Sequence, residues 1–485
     1  MSLGAVGLVW RELHSHGSNG VRTILPIGPP RHWDGNHTMT TSLRKKLCLA
    51  LVLPVVASLM SVALVAGTTS TAQAVPDHFR PAKGPTFNNP YGGSVAAHRI
   101  VHKLVRTINS VRKGHKIRIA SWNFRSNAIS NAVIAAHKRG VSVRILMDYS
   151  NWNPDVPNNF AARTHRALAQ GNKHRKHDMT SWLKRCKGSC RGHHGIAHVK
   201  FYAFDKVGKL RNVVMFGSAN ATELAAIIQW NDIYTVTKSP EKYQEFITVF
   251  NQMRRDRAVK QGFLSYKHGP MRISFYPYTG KGTEKDPVLS VLNNVRCQGA
   301  TGPAGINGHT KIRIAQTATY GPRGLALANR LATMQKRGCR IRLVYAMFGA
   351  KVLKVLRHQA GPGGVPMTHL AYDVNCDGIY DRYVHMKSMT VSGVYGQNTH
   401  ARFTWNGSAN WTGVSLGSDE VVGELHMPTV TREYSSWIDY MYNHVPAGWK
   451  PGHCQDPTGT VGDRSVIARA RLLKVDPYAL IRKDL

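Results

Sequence analysis

The chain has 485 residues, a hydrophobic fraction of 42% and ten tryptophans, a composition of folded globular proteins that excludes a disordered chain. Its 65 lysine and arginine residues outnumber 26 aspartate and glutamate residues, which gives a formal net charge of +39. This excess attracts polyanions or anionic surfaces. The charge therefore leaves nucleic acid and anionic lipid open as partners, beside a basic surface that serves solubility alone.

The N-terminal region carries the pattern of a secretory signal peptide. A basic flank at 44–46 precedes an apolar run over 47–67, and an A-x-A site ends at Ala74. Pro54 and the small residues after the run argue against a membrane span. We therefore predict a signal peptide over 39–74 and a secreted mature protein. An over-extended gene start and an unusually long leader both account for residues 1–38, which show no periodicity.

Six cysteines remain after the signal, and an even number in a secreted chain indicates disulfide bonds. Cys186 and Cys190 are spaced to close a small loop, but the sequence does not choose among the possible pairings. A zinc site is the alternative, which the neighbouring His193 and His194 keep open although a four-ligand spacing is missing. The other cysteines are Cys297, Cys339, Cys376 and Cys454.

A strand–helix–strand pattern occurs twice in chain order, with alternating apolar residues in the strands. In both copies a basic pair and a glycine follow the helix, as helix C-termini prefer. The elements are strands 116–120 and 141–146 around a helix at 132–136, and strands 311–315 and 340–344 around a helix at 325–334.

Each copy then continues to a further strand and an aromatic-rich amphipathic helix, at 233–236 and 243–253 or at 421–425 and 434–442. Alternating strands and helices predict an α/β fold in which helices cover a mixed sheet. A single repeat of this length indicates a duplication. The predicted organisation is two tandem α/β/α sandwich units over 77–265 and 266–445, and a basic tail over 446–485.

Two stretches differ between the copies. Residues 151–195 are polar and rich in histidine, lysine and arginine. Residues 346–367 mix apolar and basic side chains, which fits an amphipathic helix, a loop that touches lipid, or a helix packed on the sheet.

The segment from Asp373 to Gly378 resembles the start of a calcium loop, and Asp381 could add an oxygen. The twelfth position holds Val384 where such loops have glutamate. A tight turn between strands explains the same residues and is our preferred interpretation.

The pattern H-x-K occurs at 198–200 and 385–387, and G-S-A-N follows each copy about twenty residues later. Residues two apart on a strand face one side, so each histidine lies beside its lysine. One imidazole can attack phosphorus while a second protonates the leaving oxygen. Lysine, asparagine and serine donors can hold the phosphoryl oxygens without a metal ion, and we expect no cofactor.

These motifs resemble the phospholipase D superfamily of H-x-K-x4-D phosphodiesterases over most of the chain after the signal. Asp205 completes the first motif, whereas Ser392 stands where the second aspartate is expected. The resemblance implies two units packed as a pseudo-two-fold pair around one active site and a phosphohistidine intermediate, with His198 as nucleophile and His385 as general acid, then base. The expected catalytic residues are His198, Lys200, Asp205, Ser218, Asn220, His385, Lys387, Ser408 and Asn410.

Carboxylates are expected to orient the two imidazoles and fix their tautomers. Asp232 is the candidate in the first copy, and Asp419 or Glu420 is its counterpart in the second. Asp205 is interpreted as structural support for its own motif.

The leading hypothesis is a secreted phospholipase D-type enzyme that hydrolyses glycerophospholipids of a membrane surface to phosphatidate and a head-group alcohol. The alternative is a secreted nuclease of the same superfamily acting on DNA or RNA, which the charge suits. A binder of anionic polymers or membranes with an inactive site is a third class. Both motifs lie in one chain, so we expect a monomer.

Overall fold

The computed structural model describes residues 79–280, 285–372 and 380–445. The predicted leader, signal peptide and basic tail lie outside these ranges, as do Cys376, Cys454 and the calcium-loop-like segment at 373–379. Two successive sets of elements are described below as the first half, 79–263, and the second half, 264–445.

The first half contains ten strands and six α-helices among its described residues. The strands are β1 (Gly84–Phe87), β2 (Lys116–Ser121), β3 (Phe124–Arg125), β4 (Ser142–Asp148), β5 (Trp182–Cys186), β6 (Lys200–Val207), β7 (Leu210–Gly217), β8 (Ala221–Thr222), β9 (Gln229–Trp230) and β10 (Asp232–Val236). The helices are α1 (Gly93–Ala97), α2 (Arg99–Asn109), α3 (Asn127–Lys138), α4 (Asn159–Gln170), α5 (Leu224–Ile227) and α6 (Pro240–Met253).

The second half contains eleven strands and five α-helices within the part of the chain that the structure describes. The strands are β11 (Leu264–His268), β12 (Met271–Phe275), β13 (Val295–Arg296), β14 (Lys311–Thr319), β15 (Arg340–Phe348), β16 (Met367–His369), β17 (Ala371–Tyr372), β18 (Arg382–Val384), β19 (Lys387–Tyr395), β20 (Asn398–Gly407) and β21 (Val421–Leu425). The helices are α7 (Pro287–Asn293), α8 (Gly321–Lys336), α9 (Ala350–His358), α10 (Gly413–Gly417) and α11 (Pro428–Asn443).

The main sheets of the two halves repeat one strand order. The first runs β1-β10-β7-β6-β2-β4-β5, and the second runs β11-β12-β21-β20-β19-β14-β15-β16. In each, the two strands joined by a crossover helix are parallel, β2 with β4 and β14 with β15. On their other side, β2 and β14 pair antiparallel with β6 and β19, the strands that begin with the lysine of each H-x-K motif. The α/β prediction is thus confirmed.

The halves are joined by a small third sheet in which β18 of the second half pairs in parallel with β9 of the first. The larger hydrophobic core also contains residues of both halves, among them Phe246 of α6 and Tyr434 of α11. A second core lies within the second half and contains Leu331 of α8 and Val352 of α9. Because the first core is shared, the halves bury apolar surface against each other.

The predicted strands and helices occur, most of them with longer bounds. Both crossover helices are followed by a glycine with φ of +90°, Gly140 and Gly338, which is the left-handed conformation that a helix C-terminus favours. The helices α6 and α11 each begin earlier than predicted, at a proline that suits the first turn. The strand β14 runs four residues further than predicted. Its last residues are buried, although two of them, Gln316 and Thr319, are polar.

The two differing stretches are both structured. Residues 151–195 contain α4 and β5, which the polar composition did not indicate. Residues 346–367 contain α9, whose Val352, Val355 and Leu356 are buried, so this stretch is a helix packed on the protein. None of the helices in the described ranges is long and apolar enough to span a bilayer.

The described residues form two disulfide bonds, Cys186–Cys190 and Cys297–Cys339. The first closes the small loop that the spacing suggested. The zinc alternative is wrong, since both of its thiols are used in this bond and no metal-binding cluster occurs among the described residues.

Candidate active site

Both H-x-K motifs stand at the start of a central antiparallel strand, β6 or β19. The middle residues Val199 and Met386 are buried in the hydrophobic core. Because side chains alternate along an extended chain, each histidine and its lysine lie on the other side. His198 and His385 are only 8% and 3% exposed.

The partner of His198 comes from the second half. Its Nδ1 lies 2.8 Å from Oε1 of Glu420, the residue directly before β21. The other carboxylate oxygen accepts a hydrogen bond from Ser408 Oγ, which belongs to the second G-S-A-N segment. The second-half motif therefore orients the first-half histidine.

The partner of His385 comes from the first half in the same way. Its Nδ1 lies 2.8 Å from Oδ1 of Asn231, the residue directly before β10. Ser218 Oγ donates to this oxygen at 2.9 Å, and the amide nitrogen of Asn231 donates to the carbonyl oxygen of Ala225 at 2.9 Å. The two halves thus exchange equivalent contacts.

These contacts decide which ring nitrogen of each histidine carries the proton. The Asn231 amide is fixed by its bond to a carbonyl oxygen, so its Oδ1 can only accept, and the Glu420 carboxylate also only accepts. Nδ1 therefore donates in both histidines, and each neutral imidazole keeps its lone pair on Nε2.

The pKa of each histidine is shifted by residues of both H-x-K motifs, so the two motifs lie within electrostatic reach of each other. Burial lowers the pKa of His385 well below its usual value, and the nearby Lys387, Lys200 and His198 lower it further. Burial also lowers the pKa of His198 to about 4, although Glu420 opposes this. Without a bound anion, both imidazoles are therefore neutral at pH 7.

The two lysines make matching contacts. Lys200 Nζ donates to the carbonyl oxygen of His198, and Lys387 Nζ donates to that of His385 at 2.7 Å. Burial lowers the pKa of Lys200 to about 7, and burial together with Lys200 lowers that of Lys387 well below its usual value. An anion bound beside the two lysines would favour their charged forms, because it would offset their mutual repulsion.

Glycines let the two G-S-A-N segments approach the neighbouring strand. A Cβ at Gly217 would lie 2.4 Å from the carbonyl oxygen of Asp232, and at Gly407, where φ is +155°, 2.0 Å from that of Val421. Asn220 and Asn410 follow these turns, and their buried Oδ1 atoms have no partner among the described residues. These oxygens can only accept a hydrogen bond, so each has room for a donor from a bound molecule or water.

The expected carboxylates are partly corrected. Glu420 contacts an imidazole as expected, but Asp232 does not. Asp232 Oδ2 accepts from Tyr434 Oη at 2.7 Å and Asn406 Nδ2 at 3.1 Å, and burial raises its pKa. Asp419 also contacts no histidine, and it accepts bonds from the loop at Cys186–Cys190.

Asp205 lies on β6, seven residues after His198, and its contacts include His115 and Lys116. Its oxygens accept from the backbone nitrogen of Lys116 at 2.7 Å and contact His115 Nδ1 at 3.0 Å, which supports the interpretation as a structural residue. Ser392, its counterpart on β19, accepts from the backbone nitrogen of Gly305 at 3.2 Å.

Asn231 and Trp122 are the site residues that the sequence did not indicate. The Trp122 ring packs edge-on against His198 with centroids 5.8 Å apart, and Lys200 Nζ lies 5.9 Å from its centroid. No motif marks this tryptophan. For Asn231 a signal existed, since both it and Glu420 directly precede a strand after the G-S-A-N segment.

A family model described as "Cardiolipin synthase, PLD-like domain" matches residues 104–254. No curated protein matches the chain. The match covers β2 through α6, and thus the first H-x-K motif with its G-S-A-N segment.

Several solved structures are similar. Phosphatidylserine synthase of Haemophilus influenzae Rd KW20 is 13% identical, with 83% of this chain and 95% of that one covered at a TM-score of 0.49. Nuc from Salmonella typhimurium, a phospholipase D family member, is 20% identical, with 38% and 100% covered at 0.27. Polyphosphate kinase from Porphyromonas gingivalis is 11% identical, with 81% and 55% covered at 0.47. This chain therefore spans about half of the kinase's length.

Proposed function

We propose that the chain is a phospholipase D-type enzyme, which the match of the PLD-like domain model to residues 104–254 supports, and that it is a secreted phosphodiesterase that hydrolyses glycerophospholipids to phosphatidate and a head-group alcohol through a phosphohistidine. The observation that carries this proposal is the reciprocal pairing of the two histidines. His198 is oriented by Glu420 and His385 by Asn231, so each half orients the other's imidazole through Nδ1, and Nε2 is the atom that acts on the substrate.

In the first step, Nε2 of His198 attacks phosphorus and the bond from phosphorus to the head-group oxygen breaks. The departing oxygen takes the proton from Nε2 of a protonated His385. The negative charge of the bound diester offsets Lys200 and Lys387, which oppose protonation of His385 in the free protein. Substrate binding therefore prepares the acid.

In the second step, neutral His385 takes a proton from water through Nε2, and the water oxygen attacks phosphorus. The bond from phosphorus to His198 Nε2 breaks, and phosphatidate leaves. Lys200, Lys387 and the amides of Asn220 and Asn410 hold the phosphoryl oxygens in both steps. These side chains, the substrate and one water molecule suffice for the atoms and charges to balance.

The partners support His198 as the nucleophile. Its attack on phosphorus leaves the ring positively charged, and the Glu420 carboxylate stabilises that charge. Asn231 is neutral, so it orients His385 without making that ring a weaker acid. The Glu420 carboxylate therefore suits the nucleophile His198, and the Asn231 amide suits the general acid His385.

The lipid substrate is supported by the description of the matched family model, which names a lipid synthase. A nuclease is the second candidate, and the net charge of +39 favours it. Secretion is supported by the signal-like segment and by two disulfide bonds, which persist in oxidising compartments.

The test compares substrates with the full-length chain expressed in an exporting host. We expect choline release from phosphatidylcholine vesicles, loss of that activity in His198→Ala and His385→Ala, and no loss in His400→Ala, a control at an exposed histidine. Activity should resist chelators. Plasmid nicking with the same mutant dependence, and no choline release, would move the assignment to the nuclease. Inactivity on both substrates would contradict the enzyme.

A further inference from the structure

The loop between β5 and His198, residues 186–197, is called the disulfide loop. It begins at the Cys186–Cys190 bond, in which both cysteines are fully buried, and ends at Ala197 directly before His198. The backbone nitrogen of Ala197 donates to Asp148 Oδ2 at 2.8 Å. The loop therefore sets the point at which the chain enters the first H-x-K motif.

The same loop binds the residue directly before Glu420. Ser189 Oγ at 2.9 Å and the backbone nitrogen of Cys190 at 2.5 Å both donate to Asp419 Oδ2. The backbone nitrogen of Asp419 donates in return to the carbonyl oxygen of Ile196 at 2.9 Å. Asp419 is thus held from both its side chain and its backbone.

The backbone of the disulfide loop packs closely against the backbone of the segment before Glu420. A Cβ at Gly195 would lie 2.6 Å from the backbone of Gly417 and Ser418, and φ of Gly195 is +87°, so no other residue fits without displacement. The backbone nitrogen of Ile196 donates to Ser418 Oγ at 3.0 Å. The loop and the segment before Glu420 therefore form one packed unit.

Arg191 anchors the loop on both halves. Its fully buried guanidinium donates to Gln252 Oε1 of α6 at 2.9 Å, to the carbonyl oxygen of Tyr276 at 2.8 Å and to that of Gly262 at 2.7 Å. All three donor–acceptor distances lie within the usual range of a hydrogen bond. The loop is consequently fixed to elements on either side of the contact that it makes with Asp419.

We propose that Asp419 is a positioning residue, and that the Cys186–Cys190 disulfide holds its two donors in place so that Glu420 meets His198. This inference rests on the proposed function. His198 and Glu420 belong to different halves. The disulfide loop ends at Ala197, directly before His198, and it is hydrogen-bonded to Asp419, directly before Glu420. The small disulfide ring restricts Ser189 and Cys190, which lets both donors converge on one carboxylate oxygen.

The test measures kcat and KM on bis(p-nitrophenyl) phosphate. Asp419→Ala should lower kcat about 10- to 100-fold with KM within about twofold, because misplacing Glu420 misaligns the nucleophile. Asp419→Asn should restore kcat to within about threefold of wild type. Its carbonyl oxygen can accept both donors, and Asp419 Oδ1, which the amide nitrogen replaces, accepts no bond from the described residues.

The disulfide has a matched control. The double variant C186S/C190S should lower kcat about 10-fold or more, whereas C297S/C339S, which removes the second-half disulfide, should keep kcat within about twofold. Ser189→Ala removes one donor without touching the backbone, and a decrease in kcat of about threefold is expected from it. This milder variant serves if Asp419→Ala does not fold.

Amide hydrogen exchange separates this inference from the proposed function. In C186S/C190S, the backbone amides at position 190 and at Asp419 to Val421 should exchange at least about tenfold faster, whether or not the probe is turned over. Unchanged exchange there would overturn the inference. So would wild-type kcat in a folded Asp419→Ala, or equal losses in Asp419→Asn and Asp419→Ala, since that result assigns the effect to charge. If the wild-type protein is inactive but C186S/C190S shows the expected faster exchange, only the proposed phosphodiesterase function is contradicted.

Discussion

The first and second halves build the same relay of serine, partner and histidine, but with different chemistry at the partner. Glu420 accepts a hydrogen bond from Ser408 and one from His198. Asn231 accepts a hydrogen bond from Ser218 and one from His385. The distances from Nδ1 to the partner oxygen are both 2.8 Å. Two halves with the same strand order can therefore keep equal Nδ1 distances while one charge makes the two histidines unequal.

The largest effect should come from the histidines themselves, and it should depend on the leaving group. His198→Ala is expected to lose at least about 10⁴-fold in kcat on any diester. His385→Ala should lose about as much on a choline ester but under about 100-fold in the first step on a p-nitrophenyl ester, because that leaving group needs no proton.

Rapid-quench kinetics and mass spectrometry of an acid-labile phosphohistidine check this prediction. The phosphoenzyme should accumulate in His385→Ala, with phosphate on His198. Phosphate found on His385, or equal losses on both esters, would reverse the assigned roles.

Exchanging the partners should have the next largest effect. Glu420→Gln is expected to lower kcat about 10²- to 10⁴-fold, because the stabilising charge is lost and an amide can turn its N–H toward Nδ1. Asn231→Asp should cost about tenfold, since it keeps the acceptor but makes His385 a weaker acid. Steady-state kinetics on one ester suffice, and equal losses would show that the asymmetry has no catalytic meaning.

Acid should destabilise the protein through the buried histidine. The pKa of His198 is lowered to about 4 by burial, below the ordinary value of 6.5, so the unfolded chain binds the extra proton first. The free energy of unfolding should fall as pH drops from about 6.5 to about 4, by on the order of 3 kcal/mol for this group. Denaturant unfolding at several pH values measures it, and His198→Gln should show a smaller fall. An identical pH dependence in the two proteins would count against the shift.

The smallest effect is expected where the halves differ outside the site. Asp205→Ser gives the first half the residue that the second half has at Ser392. It should lower the free energy of unfolding by about 1 kcal/mol, through the lost bonds to Lys116 and His115, and leave kcat unchanged. Chemical denaturation and a kcat measurement decide this, and a large loss of kcat would return Asp205 to the catalytic residues.

The partners of the two imidazoles show how far the sequence alone can assign side-chain contacts. Asn231 and Asp232 are neighbours, as are Asp419 and Glu420, and neighbouring side chains on extended chain point to opposite sides. The sequence indicated both segments, but a shift of one residue separates the imidazole partner from a residue in the core or on the disulfide loop.

Local patterns by themselves determined the α/β class, the repeated strand–helix–strand order and the His–Lys pairs, because periodicity and two-residue spacing depend only on neighbours in the chain. The disulfide partner of Cys297, the structure within 151–195 and the placement of Asp205 depended on the fold. Above all, only the tertiary structure decided that Glu420 serves His198 and Asn231 serves His385. Those contacts join residues more than 150 positions apart, through packing between the halves that no local pattern encodes.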